Sequence, residues 1–139
     1  MKLCDSGLPL PFGGVTGNRR SLIFVGNLTS AIAAALSHKN AAGRTFLVRD
    51  GEDLSTAGLI RALRLALGRS PRLLSVPASW LNALLCLIGR RAMAERLLGS
   101  LAIDDSAFRT ALNWTPPFSI ADAMESTTRA SQNAGKSGS

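Results

Sequence analysis

Residues 8–28 read LPLPFGGVTGNRRSLIFVGNL, and three kinds of segment follow one another within them. Leu8, Pro9, Leu10, Pro11 and Phe12 form a stiff apolar strip, since each proline fixes its own φ. Gly13, Gly14 and Gly17 mark a flexible turn, which leads to two adjacent arginines, Arg19 and Arg20. Leu22, Ile23, Phe24 and Val25 then make a β-branched and aromatic run with the character of a strand. An apolar ledge beside a planar, bidentate cation is what a nucleotide diphosphate requires: a surface for the base and a guanidinium for the phosphate oxygens. The glycines lead into a strand, so they read as a loop between two strands. A phosphate-binding helix N-terminus would need a helix there.

Downstream of this stretch the pattern is mainly helical. Residues 28–37 are rich in Ala and Leu, with apolar spacing at Leu28, Ile32, Ala35 and Leu36, and end near His38, Lys39 and Asn40. His38 is the only histidine, and at a helix end it reads as a dipole partner or surface residue. Residues 43–49 predict a short strand, whose continuous Thr45-Phe46-Leu47-Val48 run implies burial on both faces. Ser55 caps a helix over 56–67 with Leu59, Ile60, Leu63 and Leu67 on one face and Arg61 and Arg64 elsewhere; Gly68 and Pro71 end it. A short strand is predicted over 72–77. A helix over 79–88 breaks near Gly89 and resumes over 90–98, with Trp80, Leu84, Leu85 and Leu87 packing inward and arginines outward. Arginines beside apolar residues also allow a membrane-surface helix here. Asp104 caps a short helix over 105–112, so the Asp104–Asp105 pair reads as a cap and not as an acid/base or metal couple. Trp114 and Phe118 anchor a rigid turn, Ser119 caps a last helix over 120–129, and the small polar residues 130–139 predict a disordered tail.

The 139 residues allow one domain, and 46% apolar composition suffices for a core. The net charge of +7 invites a polyanion-binding reading, but thirteen of the sixteen basic residues are arginines spread along the chain. Solvated faces and genome composition account for that distribution better than a nucleic-acid surface does. Cys4 and Cys86 lack the Cys/His spacing of a zinc site, no signal peptide is visible, and the apolar run 80–88 is far shorter than a membrane span. A cytoplasmic protein without a metal or a transmembrane segment is expected.

The run RRSLIFVGNL, preceded by LPLPFG, resembles a segment of the extended short-chain dehydrogenase/reductases, the NAD-dependent epimerase/dehydratase family, and within it the UDP-glucose 4-epimerase group. TFLVRDGEDLST and IDDSAFRTALNWTPPFSIADAM are similar to later segments of the same family, so the likeness extends over residues 1–125. It implies an α/β chain that is the predominantly helical C-terminal, substrate-binding portion of such an enzyme (a partial Rossmann-type fold with a few short strands) over residues 1–129. It implies that Arg20 binds the diphosphate, that Leu10, Pro11 and Phe12 lie along the base, that Arg96 completes the phosphate clamp, and that 72–77 lies beside the apolar strip. The first four residues are similar to the end of the helix that precedes LPLPFG in the family, which implies that Met1 corresponds to an internal position.

The family's catalytic Tyr-x-x-x-Lys pair has no counterpart, because the sequence contains no tyrosine. Its NAD-binding strand–GxxGxxG–helix unit has none either. No catalytic, cofactor-binding or metal-ligating residue is therefore assigned, and NAD belongs to the parent family alone. Three functional classes are open: a UDP-sugar-binding portion inactive by itself, a half-enzyme completed by a separate NAD-binding chain, or a small basic module for nucleic acid or anionic membrane.

Overall fold

In the computed structural model, which describes residues 2–5 and 8–136, the segment around Arg20 is paired on both sides. Met1, Ser6, Gly7 and residues 137–139 lie outside the described residues, and with them the expectation for Met1 and the end of the predicted tail. The helices are α1 (Lys2–Asp5), α2 (Val25–Ser37), a 3-10 turn (Lys39–Ala41), α3 (Thr56–Ala66), α4 (Ala78–Leu87), α5 (Arg91–Leu98), α6 (Ser106–Leu112) and α7 (Ile120–Lys136). Helix α3 packs against α1 and α7, and α4 against α5.

Among the described residues the expected short strands are replaced by isolated bridges: Leu10 with Leu73, and Arg20 with both Leu54 and Leu101. Each departure has a local cause. In the 22–25 run, both carboxylate oxygens of Asp50 take the Phe24 N–H, at 3.0 and 3.1 Å, and Val25 already begins α2. Residues 43–49 are buried on one side only. Phe46 and Val48 pack beneath α2 and α6 while Leu47 is exposed, and among the described residues no bridge forms over 43–49. Residues 72–77 do lie beside the apolar strip, through Leu74 N–H to Leu10 O at 2.8 Å and Gly13 N–H to Leu74 O at 2.9 Å. The ladder cannot lengthen because Pro9 and Pro11 have no N–H to donate.

The glycine turn is tighter than the flexible loop expected of it. A Cβ on Gly14 would sit 2.2 Å from Val76 O and one on Gly13 2.8 Å from Leu74 O, so these glycines permit close backbone approach. One core cluster, built on Leu10, Phe12, Val15, Ile60 and Leu81, lies under α3 and the α4–α5 pair. A second joins Ala31, Phe108, Leu112 and Trp114, with Phe108 edge-on to both Phe46 and Trp114 at about 5.4 and 5.3 Å.

Three further expectations change. Arg64, placed off the apolar face, is 1% exposed; its Nη1 donates to Arg72 O at 2.8 Å and its Nη2 to Leu8 O, tying α3 to both bridged segments. A long stem that runs along apolar surface lets a guanidinium reach carbonyls inside the fold. Trp80, Leu84 and Leu87 face outward: α4 meets the core through Ala78 and Leu81, and α5 through Leu97 and Leu98, which leaves the far side of the pair bare. Helix α7 continues to Lys136, through residues expected to be tail; its packing on α3 buries Ala123 and Thr128, which precede that extension. Its start is the predicted one. Ser119 Oγ accepts the Asp122 N–H at 3.3 Å and Asp122 Oδ2 accepts the Ser119 N–H at 3.0 Å, a reciprocal capping box.

Candidate functional site

The site is built outward from Arg20. Its N–H donates to Leu54 O at 2.9 Å, and its carbonyl accepts the Leu54 N–H at 3.0 Å. On the other side Leu101 N–H donates to Arg19 O and Ser21 N–H to Leu101 O, each at 2.8 Å. The backbone is thus held from both flanks while the half-buried guanidinium makes one long bond, Nη2 to Gly99 O at 3.4 Å. It has no carboxylate partner among the described residues, whereas Arg49, Arg69, Arg109 and Arg129 are all ion-paired. A guanidinium carries five N–H donors, so most of those on Arg20 are available to an anion. Arg19, its neighbour in sequence, is exposed.

The other predicted contacts are distributed unevenly. Leu10 and Phe12 turn into the core at 6% and 9% exposure, so of the three predicted base contacts only Pro11 faces outward, in line with the exposed Leu8 and Pro9. Arg96 is exposed on α5, one turn before the Gly99 carbonyl that Arg20 touches. It lines a shallow concavity with Arg90, Ala92 and Met93 that includes neither the strip nor Arg20. The two cations therefore share the carboxyl end of α5, where carbonyl dipoles favour positive charge, without lining one pocket. Asn18 holds this junction together: its Nδ2 donates to Thr56 Oγ1 at 2.8 Å and Gly99 O at 3.2 Å, and its Oδ1 accepts the Thr56 N–H at 3.0 Å.

A polar chain that sequence reasoning missed braces the same segment. Ser21 Oγ donates to Asp53 Oδ1 at 2.6 Å and accepts the Ile103 N–H at 2.9 Å. Asp53 pairs with Arg49 at 3.0 Å; Arg49 reaches Asp105 at 3.1 Å, and Asp105 binds Arg109 at 2.6 Å. Helix α6 starts at Ser106 with Asp105 at the N-cap position, one residue later than expected. Asp104 accepts the Ser106 N–H at 2.9 Å from just outside the helix, while Asp105 makes no side-chain cap bond and is a buried ion-pair centre. The one available signal was that Asn18 and Ser21 flank the arginines inside an otherwise apolar stretch.

The Ser21 hydroxyl, with Arg49 nearby, holds the Asp53 carboxyl below its ordinary value of 3.8. The unfolded chain therefore takes up this proton at a higher pH than the folded one. The resulting stabilisation is complete above about pH 5 and is lost as the pH falls through the folded value. Urea midpoints measured from pH 7 downward should fall on the acid side, and Ser21→Ala should make that fall shallower. An unchanged acid limb in the variant would show that this hydroxyl does not set the titration.

A concavity of about 610 Å³ lies between Gly51, Glu52 and the 116–122 turn and contains no arginine. Among the described residues no cluster of three or more His, Cys, Asp or Glu is placed to hold a metal, and no helix is long and apolar enough to cross a membrane. His38 accepts the Asn40 N–H at 3.3 Å and caps the 3-10 turn.

Over 130 residues the chain is 38% identical to the UDP-glucose 4-epimerase of Vibrio cholerae, an alignment that covers 94% of this chain and 40% of that protein. Its backbone is similar to the crystal structure of UDP-N-acetylglucosamine 4-epimerase from Bacillus cereus, with a TM-score of 0.67 at 16% identity, covering 94% of this chain and 40% of that one. At that identity the second likeness concerns the fold alone. The chain spans about 40% of the length of the curated relative it matches. No family model matches it.

Proposed function

We propose, from the premise that this chain matches the C-terminal portion of the extended short-chain dehydrogenase/reductase epimerases, that it supplies the wall of a UDP-sugar site. In this reading the fold is part of a Rossmann-type enzyme. Arg20 binds the diphosphate oxygens, Pro11 and the backbone of the Leu10–Phe12 strip lie along the base, and Arg96 adds a second cation from the end of α5. The observation that carries the reading is an arginine whose backbone is held from both sides and whose guanidinium has no carboxylate partner among the described residues. Unlike Arg64, whose guanidinium is engaged by carbonyls inside the fold, Arg20 makes only the long bond to Gly99 O among the described residues and keeps donors for an anion arriving from outside.

The parent chemistry oxidises a sugar hydroxyl with bound NAD, turns the keto sugar over and returns the hydride. The sequence contains no tyrosine and so no counterpart of the family's Tyr-x-x-x-Lys pair, and the chain by itself is proposed to bind without turning over. A pocket whose opposing wall belongs to another part of the enzyme is not preorganised, and affinity for UDP should be in the millimolar range, near ~4 kcal/mol of binding free energy. The test is a thermal-shift titration with UDP on the 139-residue chain and on Arg20→Gln. UDP should raise the midpoint of the parent chain and leave the variant unmoved, while the two unliganded midpoints stay within about 2 °C. Equal shifts in both, or none in either, would remove Arg20 from the site.

A further inference from the structure

Helix α4 carries an apolar stripe that nothing in the chain covers. Trp80, Leu84 and Leu87, spaced four and three residues apart, fall on one face, and they are 74%, 58% and 85% exposed. Ile88 and Met93 continue the surface across the Gly89 turn, whose φ of 73° reverses the chain into α5. At the tip of this hairpin stand Arg90 and Arg91, both exposed and without a carboxylate partner among the described residues. From Ala78 to Leu98 the sole acid is Glu95, against three arginines.

We propose that the α4–α5 hairpin docks on an anionic bilayer, with Trp80, Leu84 and Leu87 in the interface and Arg90 and Arg91 on lipid phosphates. Ten residues of helix are about 15 Å long, too short to span but suited to lying in the plane of the headgroups. An exposed indole beside leucines suits the polarity gradient of that layer. Charge complementarity selects the occupant. An anionic bilayer offers a partner to both parts of this surface, an apolar layer for the stripe and phosphates for the adjacent Arg90 and Arg91. Helix α2 is a useful contrast. Its exposed Val25, Ile32 and Leu36 lie on a helix with no charged residue at all, a face suited to another protein surface.

The test is sedimentation of the 139-residue chain with vesicles of phosphatidylcholine alone or with about 30% phosphatidylglycerol. The chain should pellet with the anionic vesicles, at least about tenfold more weakly with neutral ones, and less as salt is raised. Trp80 emission should shift to the blue on binding, over a constant background from buried Trp114, and Trp80→Phe should abolish the shift. Leu84→Ser with Leu87→Ser should weaken partitioning about tenfold or more with an unchanged far-ultraviolet spectrum, and Arg90→Gln with Arg91→Gln should erase the anionic preference. Absence of vesicle binding, or binding indifferent to the serine pair, overturns the proposal. So does self-association in sedimentation velocity that the serine pair removes without any vesicle binding, which would assign the stripe to a second copy of the chain. None of these readouts depends on UDP, so this proposal and that for Arg20 fail separately.

Discussion

Asn27→Ala is expected to remove about 4 kcal/mol of stability, a large share of the roughly 5–15 kcal/mol that holds a domain of this size. Asn27 is completely buried on the first turn of α2. Its Nδ2 donates to Asp50 Oδ1 at 2.7 Å and Phe118 O at 3.0 Å, and its Oδ1 accepts the Phe118 N–H at 2.9 Å. One amide therefore holds both backbone groups of Phe118 and helps to satisfy the carboxylate that receives the Phe24 N–H ahead of α2. Alanine leaves both backbone groups of Phe118 without this partner and takes from Asp50 Oδ1 one of its two donors, the Phe24 N–H remaining; each orphaned group costs about 1–3 kcal/mol. Asn27→Asp keeps the acceptor for Phe118 but sets a carboxylate against Asp50, so it should be at least as damaging. Urea unfolding followed by circular dichroism measures both. A loss below about 1 kcal/mol for the alanine variant would mean that the turn at Phe118 is held by packing against Phe24, whose ring lies 5.6 Å away, and not by the amide.

Asp105→Ala should cost about 3 kcal/mol, at the lower end of the range for breaking a buried ion pair. The carboxylate is 3% exposed and binds Arg49 through one oxygen and Arg109 through the other. The two guanidinium side chains are 23% and 28% exposed, so water can partly re-solvate them once the carboxylate is gone, and the penalty stays below that of a sealed charge. Asp105→Asn, which keeps the volume and loses the charge, should fall between wild type and alanine. A double-mutant cycle with Arg109→Ala should return a coupling of about 1–2 kcal/mol. A coupling near zero would reduce the pair to a surface contact. Because Arg49 connects Asp105 to Asp53 and Ser21, the alanine variant should also loosen the segment that presents Arg20.

Much of the helical framework was legible in the sequence because its signals are local. Ser55 accepts the Gly58 N–H at 3.0 Å at the start of α3, and Gly68 and Gly89 take the positive φ that ends a helix. Asn113, at φ 50°, performs the same service after α6. The expected nearness of 72–77 to the apolar strip rested on resemblance, and the hydrogen bonds between Leu10, Gly13 and Leu74 match it. The strands were misjudged because β propensity records how a side chain fits a pleated surface and not whether a partner strand exists to receive its hydrogen bonds. Arg64 was misjudged because helical spacing assigns a face without showing where a long side chain ends.

By itself the sequence determined the helix boundaries set by caps and glycines and the candidacy of Arg20. Only the tertiary structure decided that Leu10 and Phe12 belong to the core, that Arg20 stands apart from the ion-paired arginines, and that the apolar stripe of α4 faces outward. The reason is physical. Caps and turn residues act over three or four positions along the chain, whereas burial and charge pairing depend on which distant segment arrives to cover a side chain.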